Sequence, residues 1–198
     1  AEADQATLAN WRSRPHNAWA FHHVREIVPS ADIPNDPDNR WVVEASAPAF
    51  DVSSIEPAME TTDADAVVVM HRGKRVFESY RRGNDAATPH ILFSVSKSML
   101  GLLAGSLVAS GDLNPDALIT DYIPELGATI FKGATVRDAL DMRVGVLFDE
   151  DYLATEGPIV DYRFAANWNP VPVGVEAGDL RSFMHKLVEA DGDHGQRF

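Results

Sequence analysis

The apolar positions of this chain fall into a few patterned stretches separated by polar, proline-rich connections. Leu8, Trp11, Ala18, Phe21 and Val24 or Arg25 lie roughly on one side of a helical wheel, which predicts a helix over 8–28. Pro15 sits inside that stretch and marks a helix start, and Pro29 ends it. Residues 30–54 are rich in Pro, Asp and Asn and predict an irregular surface segment anchored by Trp41. Ala66-Val67-Val68-Val69-Met70-His71 carries a buried-strand signal, and Arg75-Val76-Phe77-Glu78-Ser79-Tyr80 a second strand. With a turn at Arg72-Gly73-Lys74 the pair reads as an antiparallel hairpin.

A loop through Pro89 and the apolar run Ile91-Leu92-Phe93 lead into a long helical pattern beginning at Ser98. Met99, Leu100, Leu103, Leu107 and Val108 give it a broad apolar surface, with Gly101, Ala104 and Gly105 among them. That composition predicts a central, packed helix with close neighbours, ended by Ser110-Gly111. Thr135 is placed to cap a helix over 136–142. After Gly145 the chain reads as loop, with the acidic run Asp149-Glu150-Asp151. Residues 180–189 predict a last short amphipathic helix before a turn-rich tail.

Composition narrows the classes. The chain has 198 residues, 45% of them hydrophobic and 24% charged, the profile of a soluble globular domain of ordinary size. No apolar run approaches the roughly 20 residues that span a bilayer. A net charge of -13 argues against nucleic acid and anionic membranes, both of which would repel it. The absence of cysteine removes disulfides, thiol nucleophiles and thiolate-bound metals. The compartment stays open between cytoplasm and periplasm.

The sharpest chemical signal is Ser94-Val95-Ser96-Lys97. A serine and a lysine three residues apart on a helix share one face, which suits a lysine that accepts the proton of a serine hydroxyl. An N-capping serine followed by a surface lysine would give the same letters. The context favours chemistry, because lysine is disfavoured near the positive end of a helix dipole. The same field favours the neutral amine that a general base needs. The other chemical letters are weak. His16, His22, His23, His71, His90, His185 and His194 show no ligand spacing in the sequence and read as structural or surface residues. Phosphate-binding glycine loops and the G-x-S-x-G elbow are absent.

Several stretches in order carry a resemblance: Phe93-Ser94-Val95-Ser96-Lys97-Ser98, then Gly111-Asp112-Leu113, then Asp121-Tyr122-Ile123-Pro124-Glu125-Leu126, then Thr135-Val136-Arg137-Asp138-Ala139-Leu140-Asp141-Met142. Together they resemble the serine beta-lactamase-like hydrolases, in the branch of class C beta-lactamases, D-alanyl-D-alanine carboxypeptidases and family VIII esterases. Met142-Arg143-Val144-Gly145 followed by Phe148-Asp149-Glu150-Asp151-Tyr152 is similar to the nylon-oligomer hydrolases of that branch. The resemblance covers roughly residues 66–152.

The resemblance implies an α+β fold of the beta-lactamase/transpeptidase type: an antiparallel sheet flanked by helices, with a helical subdomain beside it. Residues 1–198 then form the N-terminal portion of one such domain. Residues 1–93 supply the first helix, the irregular segment and the first strands, and residues 94–198 the nucleophile helix and helical subdomain. The family's tyrosine motif and its C-terminal strand motif are not found in this sequence. The chain therefore resembles the N-terminal half of a family member, a fragment or one chain of a nicked enzyme. A second, C-terminal polypeptide is expected to complete the sheet, because missing strands leave apolar faces and unpaired edges. A homodimer is a further possibility.

The implied chemistry is acyl transfer without metal or cofactor. Ser94 attacks an amide or ester carbonyl, Lys97 takes its proton, and the Ser94 backbone N–H forms half of the oxyanion hole. Tyr152 is expected over the cleft against the scissile amide, and Ser96 supports Lys97. Linear 6-aminohexanoate oligomers are the expected substrates. Short acyl esters, then beta-lactams or D-alanyl-D-alanine peptides, are the alternatives. A non-catalytic binding module is the competing class, and the retained Ser94 and Lys97 argue against it.

Overall fold

A computed structural model of the chain describes residues 5–176 and 178–198. In chain order the elements are α1 (Asn17–Ala20), α2 (Val24–Ile27), α3 (Ile55–Thr61), β1 (Ala66–His71), β2 (Lys74–Tyr80), α4 (Val95–Ser110) and α5 (Ile119–Tyr122). A 3-10 helix (Pro124–Ala128), α6 (Val136–Leu140), α7 (Pro158–Ala165) and α8 (Leu180–Met184) follow. The chain divides into two compact units. One is Ala18–Ile91, and the other joins the residues up to Asn17 to Leu92–Phe198. None of the described helices is long and apolar enough to cross a membrane.

In the unit 18–91 the centre is the predicted hairpin. β1 and β2 pair antiparallel, with Val67 opposite Ser79 and Val69 opposite Phe77, and the register shifts between Val69 and Met70. Arg72 and Gly73 both take positive φ, 51° and 78°, the turn geometry that matches the twist of a two-residue hairpin. The irregular segment docks on β2 through two backbone bonds, Ser46 N–H to Arg75 O at 2.9 Å and Arg75 N–H to Glu44 O at 2.8 Å. Met59 of α3 and Val76 of β2 are buried. β1 corrects an expectation: its signal is that of a buried strand, yet Val68 and Met70 are exposed. A two-stranded sheet covers its strands on one side at most. Trp41 is likewise no anchor, being 84% exposed.

The single helix predicted over 8–28 is instead a series of turns followed by the one-turn helices α1 and α2. Pro15 lacks an N–H and its ring crowds the preceding turn, so the periodic pattern around it cannot be one continuous helix. The side chain of His23 contacts the Trp19 carbonyl through Nδ1 at 2.7 Å, where the helix ladder stops.

The other unit has a small closed core. Ile119, Leu126 and Ala134 are buried, with Ile123, Phe131, Val144 and Met184 packed against them. The backbone joins these residues: Ile119 N–H reaches Ala134 O at 2.9 Å, and Val136 N–H reaches Ala117 O at 3.0 Å. Thr135 caps α6 as expected, its hydroxyl accepting from Asp138 N–H at 3.1 Å while the Asp138 carboxylate accepts from Thr135 N–H at 2.8 Å. This is a reciprocal capping box. The tail closes on the 143–147 segment, with Leu147 N–H to Glu189 O at 2.9 Å and Gly195 N–H to Arg143 O at 2.9 Å. Gly145 is required there, because a Cβ at this position would collide with the Gly192 carbonyl.

α4 ends as the sequence predicts, at Gly111 in the left-handed conformation with φ 83°. It starts at Val95, one turn before the expected Ser98. Its environment departs further from expectation. Only Ala104 of its sixteen residues is buried, while Met99, Leu100, Leu102 and Leu103 are exposed, Leu102 by 71%. The helix is apolar enough to be central and is uncovered by the elements of its own unit. α7 was not legible in the sequence, and α8 stops at Met184, short of the predicted Glu189.

Candidate active site

Ser94 occupies the N-cap position of α4, with φ -67° and ψ -13°. Its hydroxyl makes no capping hydrogen bond. The first bonds of the helix are tight i to i+3 contacts: Val95 N–H to Leu92 O, Ser96 N–H to Phe93 O and Lys97 N–H to Ser94 O, each at 3.0 Å. The Ser94 N–H donates to no acceptor among the described residues, as expected of the first amides of a helix. Lys97 lies one turn on, on the same face, and both residues are exposed. The side chains of Ser94 and Lys97 make no hydrogen bond to each other, and neither is held in an ion pair among the described residues.

The residue before the serine fixes its presentation. Phe93 has φ 45°, in the left-handed region that a bulky residue rarely adopts. Such a conformation persists only where surroundings enforce it. Here two tryptophans do so. The Phe93 ring stacks on Trp11 at 6.0 Å with 11° between planes, and meets Trp168 edge-on at 6.3 Å. The two tryptophans meet at 6.5 Å, and the Trp11 indole N–H donates to the Trp168 carbonyl at 2.8 Å. Arg12 lies over Trp168 at 5.5 Å and donates to Asn169 Oδ1 at 2.9 Å. Partial burial, then the nearby Arg163 charge, lowers the Arg12 pKa. The rings continue through Tyr162, which meets Trp168 at 5.8 Å, to Phe148 and Phe183. The serine thus leaves a backbone inversion clamped by an aromatic cluster.

Tyr152 lies in the exposed loop after the acidic run. Its hydroxyl donates to Glu150 Oε2 at 2.9 Å, and this bond, with the Glu150 charge, raises the phenol pKa. Tyr152 makes no hydrogen bond to Ser94 or Lys97. What the loop does have is a buried anchor. Arg163 of α7, 5% exposed, donates from Nη1 to Ala154 O at 2.7 Å and from Nη2 to Asp151 O at 2.9 Å. Two carbonyls flanking Tyr152 are therefore held by one guanidinium. Ser96 makes no hydrogen bond to Lys97 among the described residues. A hollow between α7 and α8, lined by Asp161, Phe164, Asp179 and Lys186, includes neither Ser94 nor Lys97.

Sequence reasoning missed Phe93, Trp11, Trp168 and Arg163 as the frame of this site. The stretch Ile159-Val160-Asp161-Tyr162-Arg163-Phe164 carries two charges, and nothing in the letters separates the buried Arg163 from Asp161. The positive φ of Phe93 leaves no mark in the letters.

The beta-lactamase family profile matches residues 53–184. The 6-aminohexanoate-dimer hydrolase of Paenarthrobacter ureafaciens is 32% identical in an alignment covering 99% of this chain and 50% of that protein. The structure of a putative 6-aminohexanoate-dimer hydrolase from Bacillus anthracis superimposes with a TM-score of 0.82 at 24% identity, over 98% of this chain and 54% of that one. The latter is a likeness of fold, and it agrees with the α+β, beta-lactamase-like class expected from the sequence. The chain spans about half the length of the curated relative it matches.

Proposed function

The chain belongs to the beta-lactamase family, and from that premise we propose that it carries the nucleophile of a serine hydrolase acting on linear amides. One observation supports this above the rest. Ser94 stands at the start of α4 with a hydroxyl not used in capping and an N–H with no described acceptor, one turn before Lys97. In the proposed reaction Lys97 accepts the Ser94 proton as Oγ attacks the carbonyl carbon. The oxyanion is held by the Ser94 N–H, where the helix dipole also favours negative charge. The acyl-enzyme forms with loss of the amine, and water releases the acid. Tyr152 contacts the amide from its loop, which Arg163 positions.

The substrate reading, 6-aminohexanoate oligomers, rests on the relative's name and on the acidic residues Asp149, Glu150 and Asp151 near Tyr152, which suit an ammonium end. A C-terminal polypeptide is proposed to supply the remaining strands, the second oxyanion donor and the proton relay. The uncovered apolar faces of α4 and β1 support that reading.

The test is intact-mass spectrometry with a fluorophosphonate, on this chain and on the chain joined to the C-terminal half of a family member. One adduct on the joined protein, absent after Ser94→Ala, is expected, together with release of 6-aminohexanoate from its dimer. An adduct that survives Ser94→Ala would refute the nucleophile. Turnover of p-nitrophenyl esters with none of the amide would replace the amidase reading by a carboxylesterase.

A further inference from the structure

In the unit 18–91, three residues far apart in sequence converge: His22, Asp65 and His90, whose ligating atoms all lie within 4.8 Å of one another. His22 Nε2 is 3.3 Å from Asp65 Oδ2, and His90 Nε2 is 3.5 Å from the same oxygen. The rings of His22 and His90 meet edge to face at 4.7 Å.

The protons on these rings are fixed by their far sides. His22 Nδ1 is 2.9 Å from the Pro89 carbonyl, and His90 Nδ1 is 2.8 Å from the Ile91 carbonyl. A carbonyl only accepts, so each Nδ1 carries the hydrogen. In the neutral rings both Nε2 atoms are then lone pairs turned toward a carboxylate. Backbone carbonyls orienting Nδ1 in this way are the usual support of metal-binding histidines.

Three acceptors brought this close call for a positive charge between them, a proton or a metal ion. A proton on His22 Nε2 fits poorly, because this nitrogen is buried without a hydrogen-bond partner although Asp65 Oδ2 is 3.3 Å away. Its side chain is 9% exposed, so water does not relieve it. Misaligned approach at this distance is what ligand atoms show when they aim at a common centre rather than at each other. A tetrahedron with bonds of about 2.0–2.1 Å has edges of about 3.4 Å, close to both nitrogen–oxygen separations. Arg82 holds the other oxygen, Asp65 Oδ1, through Nη1 at 2.8 Å and engages Asp63 Oδ1 through Nη2, which leaves Oδ2 to face the histidines.

The geometry points to a divalent transition-metal site, best suited to Zn2+, with His22 Nε2, His90 Nε2 and Asp65 Oδ2 as ligands and water as the fourth. Two imidazoles and one carboxylate with water in the fourth position are a donor set that four-coordinate zinc takes. The site would be a clip. It joins the turn after α1, the residue before β1 and the end of the loop that leads to Leu92, reinforcing the links made by Ile91 N–H to Phe21 O at 2.8 Å, by His22 Nδ1 to the Pro89 carbonyl at 2.9 Å and by Arg81 N–H to Asp65 O at 2.8 Å. The His90 side chain is 42% exposed, which gives the ion a path in.

The experiment titrates ZnCl2 into the EDTA-treated, dialysed chain by calorimetry and repeats the titration with CoCl2 in the visible range. One Zn2+ per chain is expected, with the strong absorption of four-coordinate Co2+. His90→Gln, at a half-exposed ring that folding tolerates, should weaken zinc at least about tenfold and abolish the cobalt band. His22→Gln should do the same. No stoichiometric binding would overturn the site. Binding unchanged in both variants would place the ion on other histidines and overturn it too. A chain that binds no zinc and is stabilised by acid would assign the trio to a shared proton instead.

Discussion

α4 and the segment 117–147 belong to the same unit and are built on opposite terms. The segment uses elements of four or five residues, yet it is closed: Leu126 and Ala134 have no exposure, and reciprocal caps satisfy its ends. α4 is sixteen residues long with leucines on several sides, yet it buries only Ala104. Length and apolarity do not make a helix central; covering does. The proposed chemistry sits at the start of the less covered element, where the clamp of Trp11 and Trp168 on Phe93 is the local source of order.

The largest test concerns that start. Lys97→Ala in the joined protein should lower amide turnover by about 10^3-fold or more, and Lys97→Arg should not restore it, since guanidinium does not give up its proton. Steady-state kinetics decide this, and near-normal turnover would reduce Lys97 to a surface charge. Next is the closed region. Gly145→Ala should cost about 3 kcal/mol in urea unfolding, because the backbone of Gly192 must retreat. Trp168→Ala should cost about 2 kcal/mol and also slow fluorophosphonate labelling of Ser94, by releasing Phe93. Lost stability with unchanged labelling would separate the clamp from the nucleophile.

A smaller effect is expected at the cap. Thr135→Ala should cost about 1 kcal/mol. The Thr135 hydroxyl, then its backbone N–H, holds the Asp138 carboxyl below its ordinary value. The folded state therefore binds fewer protons at Asp138 than the unfolded one. That stabilisation is complete above the usual carboxylate range and is lost as pH falls through the lowered value. Asp138→Asn should flatten the acid limb of the stability profile, read by denaturant titration at stepped pH. The smallest effect belongs to α4. Leu102→Gln should change the stability of this chain by less than about 0.5 kcal/mol, but cost about 2 kcal/mol in the joined protein if strands cover the helix. Equal small effects in both would refute the proposed cover.

The same contrast explains what the letters reveal. The hairpin, the Thr135 cap, the Gly111 stop and the S-x-x-K spacing are local rules, and each is legible. The burial of β1 and α4 is not, because an apolar run states what a segment would bury and not whether anything arrives to bury it. Trp41 misleads in the same way. The break in the 8–28 helix needed Pro15 to be weighed above the periodicity. The Phe93 inversion and the convergence of His22, Asp65 and His90 are tertiary facts, carried by residues whose spacing in the chain is uninformative.

The bare flank of α4 also has a colloidal side. A helix that displays Leu100, Leu102 and Leu103 to water invites its own copies, and the net charge of -13 opposes that approach. The range of this repulsion is set by the ionic atmosphere, about 10 Å at 0.1 M salt and about 3 Å at 1 M. The dispersal of the isolated chain is thus a balance held by its carboxylates, and concentrated salt tips it toward self-association through the same leucines.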